Sequence, residues 1–147
     1  MDEVPNCKFC GAREGCNPSD PLHVVEMERS WTFLDPNQTY RGHVIVVVKG
    51  HHEDIAAMPP AEGAALYAEM TRVAGAVRRA CKADHMNYLS LGNVVRHVHW
   101  HIYPRYRDDA NWGGAPIPEL ATYRLPDDEY RRIASAILAE LAVVPVP

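Results

Sequence analysis

Three histidines at alternate positions of an apolar run, His97-Val98-His99-Trp100-His101-Ile102-Tyr103, constrain this chain more than any other stretch of it. Successive side chains of a β-strand point to opposite faces. In a strand, therefore, the three imidazoles share one face while Val98, Trp100 and Ile102 share the other. Burying three uncommitted imidazoles side by side leaves polar nitrogens unpaired, at roughly 1–3 kcal/mol each. The apolar face is expected to pack, and the histidine face to meet a ligand, a metal or water.

The elements around this run follow from periodicity. His23 to Met27 and Ser30 to Leu34 are short β-prone runs around Glu28-Arg29, ended by the turn residues Asp35-Pro36-Asn37, and read as an antiparallel hairpin. His43 to Val48 is almost continuously β-branched, which predicts a central strand covered on both faces. Glu53 to Met58 reads as a helical turn. From Ala61 to about Lys82, Leu66, Met70, Val73, Ala74, Val77 and Cys81 recur at three- and four-residue steps, as a helix laid on a sheet requires. Tyr88 to Leu91 reads as a short strand, Gly92-Asn93 as a turn or bulge, and Pro104 as the end of the histidine strand. A loop holding Asp108, Asp109, Trp112, Gly113 and Gly114 leads to a final helix from about Pro126 to Ala142, with Asp127, Asp128 and Glu129 at its positive end. The order predicts an α+β fold on a mainly antiparallel, five-stranded sheet with one long helix and a C-terminal helix.

Charge and cysteine content narrow the partners. With 47% hydrophobic residues in 147, there is material for one core, and a net charge of −4 provides no basic field for a nucleic-acid polymer. The N-terminal Met1-Asp2-Glu3-Val4-Pro5 is acidic without a signal-peptide core, and the Val44 to Val48 run is far too short to span a bilayer, so a cytoplasmic chain without a membrane partner is expected. Cys7 and Cys10, in a Cys-x-x-Cys arrangement within an irregular segment, suit a metal site or a redox pair in a reducing compartment. Cys16 and Cys81 have no such context. Three uses of the histidine strand stay open on chemistry alone: a catalytic zinc held by all three imidazoles, a nucleophile with proton- and phosphate-handling neighbours, or a surface array without function.

The strand His97-Val98-His99-Trp100-His101-Ile102-Tyr103 resembles the signature of the histidine triad (HIT) superfamily, in which apolar residues separate three histidines. Asp35, His43 and His51, eight residues apart in turn, with a strand between the last two, are also similar to that family's nucleotide-binding half. The resemblance covers about 7–106 and implies a single HIT domain over 1–147, with 107–147 as a C-terminal loop and helix. It implies that His99 attacks the α-phosphorus of a purine nucleotide conjugate: a dinucleoside polyphosphate such as a diadenosine polyphosphate, a nucleoside phosphoramidate or an aminoacyl adenylate. Water or another acceptor would then resolve a nucleotidyl-histidine. A backbone carbonyl or His43 would fix the second nitrogen of His99, His101 would contact phosphate or assist the leaving group, Asn93 would add a phosphate hydrogen bond, and Asp35 would take the ribose hydroxyls. It further implies a structural Zn²⁺ on Cys7, Cys10, His51 and His97, with His52 as the alternative to His51, and a homodimer formed through the long helix and an adjoining strand. A nucleotide-binding or scaffolding protein with little catalysis is the competing reading.

The chain also departs from the family. The better-known branches carry a Gly-Gln-Ser or Gly-Gln-Thr turn ahead of the triad, whereas here Gly92-Asn93-Val94-Val95-Arg96 makes a shorter connection without that hydroxyl and amide. Arg96 and Arg105 flank the strand, where they would meet distal phosphates or solvent. Trp112 would line a leaving-group pocket or pack.

Overall fold

The structure, a computed structural model, describes residues 6–12, 15–117 and 122–143. The acidic segment over 1–5 lies outside the described residues. A short π-type turn, Lys8–Ala12, precedes strands β1 (His23–Glu26), β2 (Ser30–Leu34) and β3 (Val44–Val48). A 3₁₀ turn, Ile55–Ala57, leads into helix α1 (Pro60–Cys81), followed by β4 (His85–Leu89), β5 (His99–Arg105) and helix α2 (Asp127–Val143). The five strands form one antiparallel sheet in the order β1-β2-β3-β5-β4.

Every residue of β3 is buried, as its β-branched run predicts, because β3 lies between β2 and β5 with both faces covered. Each such side chain withdrawn from water contributes roughly 1.5–3 kcal/mol. The register Val44↔Ile102 and Val46↔Trp100 puts these side chains on one face, against α1, while Ile45↔His101 and Val47↔His99 put the second and third histidines on the other. Leu66, Met70, Val73, Ala74 and Val77 form the buried stripe of α1, and Tyr130, Ile133, Ala134, Ile137 and Leu141 that of α2. Pro60 opens α1 where a missing N–H is harmless, and Lys82, at φ 53°, closes it in the left-handed conformation. No helix among the described residues is long and apolar enough to cross a membrane.

Both ends of β4 and of β5 differ from the periodicity. β4 begins at His85 rather than Tyr88, because Met86 pairs with Pro104 and His85 with Arg105. β5 accordingly runs through Pro104, whose missing N–H points to the β3 side, beyond the last pair at Val44↔Ile102, where no ladder bond is lost. At its other end β5 starts at His99 and leaves His97 outside it. There the Val98 N–H donates to the His52 carbonyl and the Val48 N–H to the Val98 carbonyl, while His97 turns back through a bond from its N–H to Val95.

Candidate active site and metal centre

The approach to β3 sets the first part of the site. Gly42 sits at φ +92°, and a Cβ there would overlap the Cys81 thiol, so only glycine fits ahead of His43. Gln38, 3% exposed, organises the turn: its amide donates to the carbonyls of Asp35 (2.7 Å) and His43 (3.0 Å), and its oxygen accepts from Gly42 N–H (2.8 Å). This holds Asp35 and His43 side by side, with His43 Nδ1 3.9 Å from Asp35 Oδ2 and His43 Nε2 2.9 Å from His101 Nδ1. The His43 ring also stacks on Tyr103 at 3.9 Å. Burial, followed by the neighbouring His101, pushes the His43 pKa down to about 3. Burial, followed by the charges of His99 and Lys8, takes His101 to about 4. Both rings are therefore neutral at pH 7. Desolvation pushes the Asp35 carboxyl above its ordinary value. Asp35, His43, His101 and Tyr103 line a cleft of about 340 Å³ with Leu89, Leu91 and Pro116.

His99 is buried at 6% exposure and committed at one nitrogen: its Nδ1 lies 2.6 Å from the His97 carbonyl. Since a carbonyl only accepts, Nδ1 carries a proton, and in the neutral ring the lone pair is therefore on Nε2. Of the two expected anchors for His99, the backbone carbonyl holds it and His43 pairs with His101 instead. Thus two of the three imidazoles are buried, but each has an assigned partner, which removes the desolvation cost that argued for exposure.

His97 belongs to a second cluster. Its Nε2 donates to the Val48 carbonyl at 2.8 Å, leaving Nδ1 3.4 Å from Cys7 Sγ and 3.5 Å from Cys10 Sγ, while His51 Nδ1 lies 3.3 Å from Cys10 Sγ. The four ligand atoms all fall within 4.8 Å of one another. A tetrahedral ion with Zn–S of about 2.3 Å and Zn–N of about 2.05 Å has S···N edges near 3.5 Å, so the donor set fits Zn²⁺. The Val48 carbonyl provides the outer hydrogen bond that fixes a ligating tautomer. His52 is turned away, its Nε2 3.0 Å from Glu62 Oε2, so His51 is the histidine in the cluster.

Other expected positions fall elsewhere. Asn93 is exposed and lines a depression with Glu53, Asp54 and Arg96, not the cleft of Asp35 and His101, because the short connection after β4 turns outward. Arg96 pairs loosely with Glu53 at 3.6 Å. Arg105 is 1% exposed and turned inward from solvent: it forms a two-bond pair with Asp109 and donates to the Gly114 and Asn111 carbonyls, stapling the loop after β5. Trp112 lies in a separate groove between α1 and β4, with Tyr67, Tyr88 and Trp100. Sequence reasoning missed Phe9, whose ring lies 4.9 Å from that of His99, and Tyr103, which alternation already placed on the histidine face.

Residues 18–108, from just ahead of β1 to beyond β5, match the HIT domain family. The Protein hit of Bacillus subtilis is 30% identical over 147 residues, spanning 97% of this chain and 99% of the relative. The adenylylsulfatase HINT3 of Arabidopsis thaliana is 27% identical over 145 residues, spanning 95% of this chain and 72% of the relative. A Zn-bound histidine triad family protein from Mycobacterium smegmatis superposes with a TM-score of 0.69 at 29% identity, covering 93% of this chain and 94% of that one. Since the match takes in all five strands together with the alternating histidines of β5, this chain belongs to the HIT domain family.

Proposed function

We propose that this protein is a hydrolase or nucleotidyltransferase acting at the α-phosphate of a purine nucleotide conjugate, with His99 as nucleophile. The observation that carries the reading is the 2.6 Å bond from His99 Nδ1 to the His97 carbonyl, which leaves a lone pair on Nε2 of a ring on the cleft face of the sheet. That lone pair forms a bond to the α-phosphorus as the bond from phosphorus to the leaving group breaks, the electron pair leaving with that group. Water then attacks phosphorus, the P–N bond breaks with its pair returning to Nε2, and the nucleoside monophosphate departs. The water proton passes to solvent or to a neighbouring imidazole, and another acceptor in place of water gives transfer.

The surrounding groups have roles matched to their states. An ionised Asp35 favours a proton on His43 Nδ1, so that His43 Nε2 accepts from His101 Nδ1. In that tautomer His101 Nε2 carries a lone pair, placed to take the proton of the attacking water, and Asp35 is placed to accept from the ribose hydroxyls at the same cleft. Cys7, Cys10, His51 and His97 would hold Zn²⁺, which with four protein donors would supply a structural cross-link rather than chemistry. A catalytic zinc on all three triad histidines has no support, because His97 Nδ1 faces the cysteines while His101 Nδ1 faces His43. The exposed Tyr67 of α1 and Tyr88 of the edge strand β4, along the groove between them, support a homodimer through that face.

His99→Ala is expected to lower kcat for adenosine 5′-phosphoramidate or diadenosine polyphosphate by at least about three orders of magnitude, since the nucleophile itself is removed. Unchanged turnover would overturn the assignment. Tight nucleotide binding by the unaltered protein without any turnover would favour the binding or scaffolding reading.

A further inference from the structure

The two residues enclosed by Cys7 and Cys10 touch or approach the catalytic face. Phe9 is 9% exposed, and its ring centroid lies 4.9 Å from that of His99, 5.7 Å from His97 and 6.2 Å from Phe33. It thus covers the ring read above as the nucleophile, which is itself only 6% exposed. Lys8 stands beside it, its ammonium 6.0 Å from the Phe9 ring. Phe9 sits on the short turn Lys8–Ala12; Cys7, just ahead of the turn, is aimed at His97, and Cys10, within it, at His51. A five-residue turn of this kind has little intrinsic stability, so a cross-link through the cysteines would decide where Phe9 sits.

One hydrogen bond, from Nδ1 to the His97 carbonyl, sets the tautomer of His99 but leaves the ring free to pivot about that bond. An aromatic ring packed against the imidazole removes that freedom. We propose that Phe9 is a positioning residue for His99, and that a metal ion on Cys7, Cys10, His51 and His97 locks it in place, making the cysteine turn a metal-dependent wall of the active site. Its consequence for turnover rests on the reading of His99 as nucleophile; its test does not.

The cluster reaches His99 by two routes, through Phe9 and through His97, whose carbonyl anchors the His99 ring. Carbethoxylation by diethyl pyrocarbonate, followed residue by residue by mass spectrometry under a phosphine reductant, separates them. The rate at His99 is measured in zinc-loaded and chelator-stripped protein, for the unaltered chain, Phe9→Ala and Phe9→Leu, with zinc content determined each time and exposed His85 as the internal reference. Stripping is expected to raise the unaltered protein's rate at His99 about fivefold or more, as a covered ring becomes open. Loaded Phe9→Ala should already show the raised rate and gain less than about twofold on stripping, whereas Phe9→Leu should keep most of the protection. Turnover should fall wherever labelling rises, since the exposed ring is no longer aimed.

Equal increases on stripping in the unaltered protein and Phe9→Ala would overturn the proposal and place the coupling in His97. So would an unchanged His99 rate in a Phe9→Ala variant that retains zinc. Should Phe9→Ala fail to load zinc, ¹⁹F spectra of protein carrying 4-fluorophenylalanine decide the matter. The chain has only two phenylalanines, and Phe33→Leu assigns their signals. The Phe9 signal must shift on stripping and return with zinc in step with His99 protection; a Phe9 signal indifferent to zinc overturns the proposal. If His99 labelling follows Phe9 and zinc as expected while His99→Ala keeps full turnover, the nucleophile reading fails and the positioning contact stands.

Discussion

His43 shows how a single residue can be legible in sequence by place and illegible by state. Its spacing from Asp35 and its position ahead of the β-branched run put it at the site, but nothing in the chain order tells that it pairs with His101 at 2.9 Å and stacks on Tyr103. Those contacts join residues 58 or more positions apart and exist only once β3 and β5 are aligned. The state has a measurable consequence. In the folded protein burial holds His43 neutral down to about pH 3, whereas unfolded it titrates near its ordinary 6.5. Between those values the unfolded chain binds the extra proton, so this contribution to stability is complete above about pH 6.5 and is lost as pH falls towards 3. Urea unfolding in excess chelator should show about 2 kcal/mol less stability from this group at about pH 5 than at neutral pH. His43→Gln should flatten that slope; an equal slope in the variant would mean that His43 is not held neutral. Arg105 gives the opposite case: an arginine flanking a strand suggests a phosphate or solvent contact, and only the folded loop reveals Asp109 and the carbonyls of Asn111 and Gly114 around it.

At the scale of elements, the strands and helices were legible wherever period and burial agree. β3 and α1 have one-sided or continuous apolar patterns that tertiary contacts reinforce, so their bounds shift by only a residue. β4 was misplaced by three residues at its start because Met86 is the one apolar residue among His85, Met86 and Asn87, too short an alternation to mark a strand; pairing with β5 through Pro104 defines them. The cysteine turn was legible only as a donor set. Its geometry depends on His51 and His97, 41 and 87 residues from Cys10, and Phe9 gained significance from a contact no local pattern announces. A closed Cys₂His₂ site would tie this turn to the ends of β3 and β5. Cys7→Ser is accordingly expected to lose zinc stoichiometry and lower Tm by about 6–12 °C, the shift for roughly 3 kcal/mol in a chain of this size. Metal analysis and calorimetry on the same preparations check it, and full zinc retention by the variant would remove Cys7 from the site.

At the scale of the whole molecule, one sheet separates two kinds of chemistry. The α1 and α2 face is apolar and carries the helix-packed part of the core; the opposite face holds Asp35, His43, His99 and His101, with Phe9 of the cysteine turn packed against Phe33 and His99 on part of it. Edge strand β4 and the adjoining groove of about 950 Å³ are the region proposed to meet a second copy. Sedimentation equilibrium should give a dimer that Tyr67→Glu converts to monomer, since a carboxylate in a desolvated apolar interface would be strongly unfavourable; a monomeric unaltered protein would contradict that interface. The central claim concerns one atom, His99 Nε2. The most direct measurement is rapid alkaline quenching during turnover of a diadenosine polyphosphate, followed by peptide mass spectrometry for a nucleotidyl group. The account predicts an adenylyl adduct on His99 that forms and decays at the rates of the catalytic cycle; full turnover with no adduct at His99, and inversion at a chiral α-thiophosphate, would contradict it.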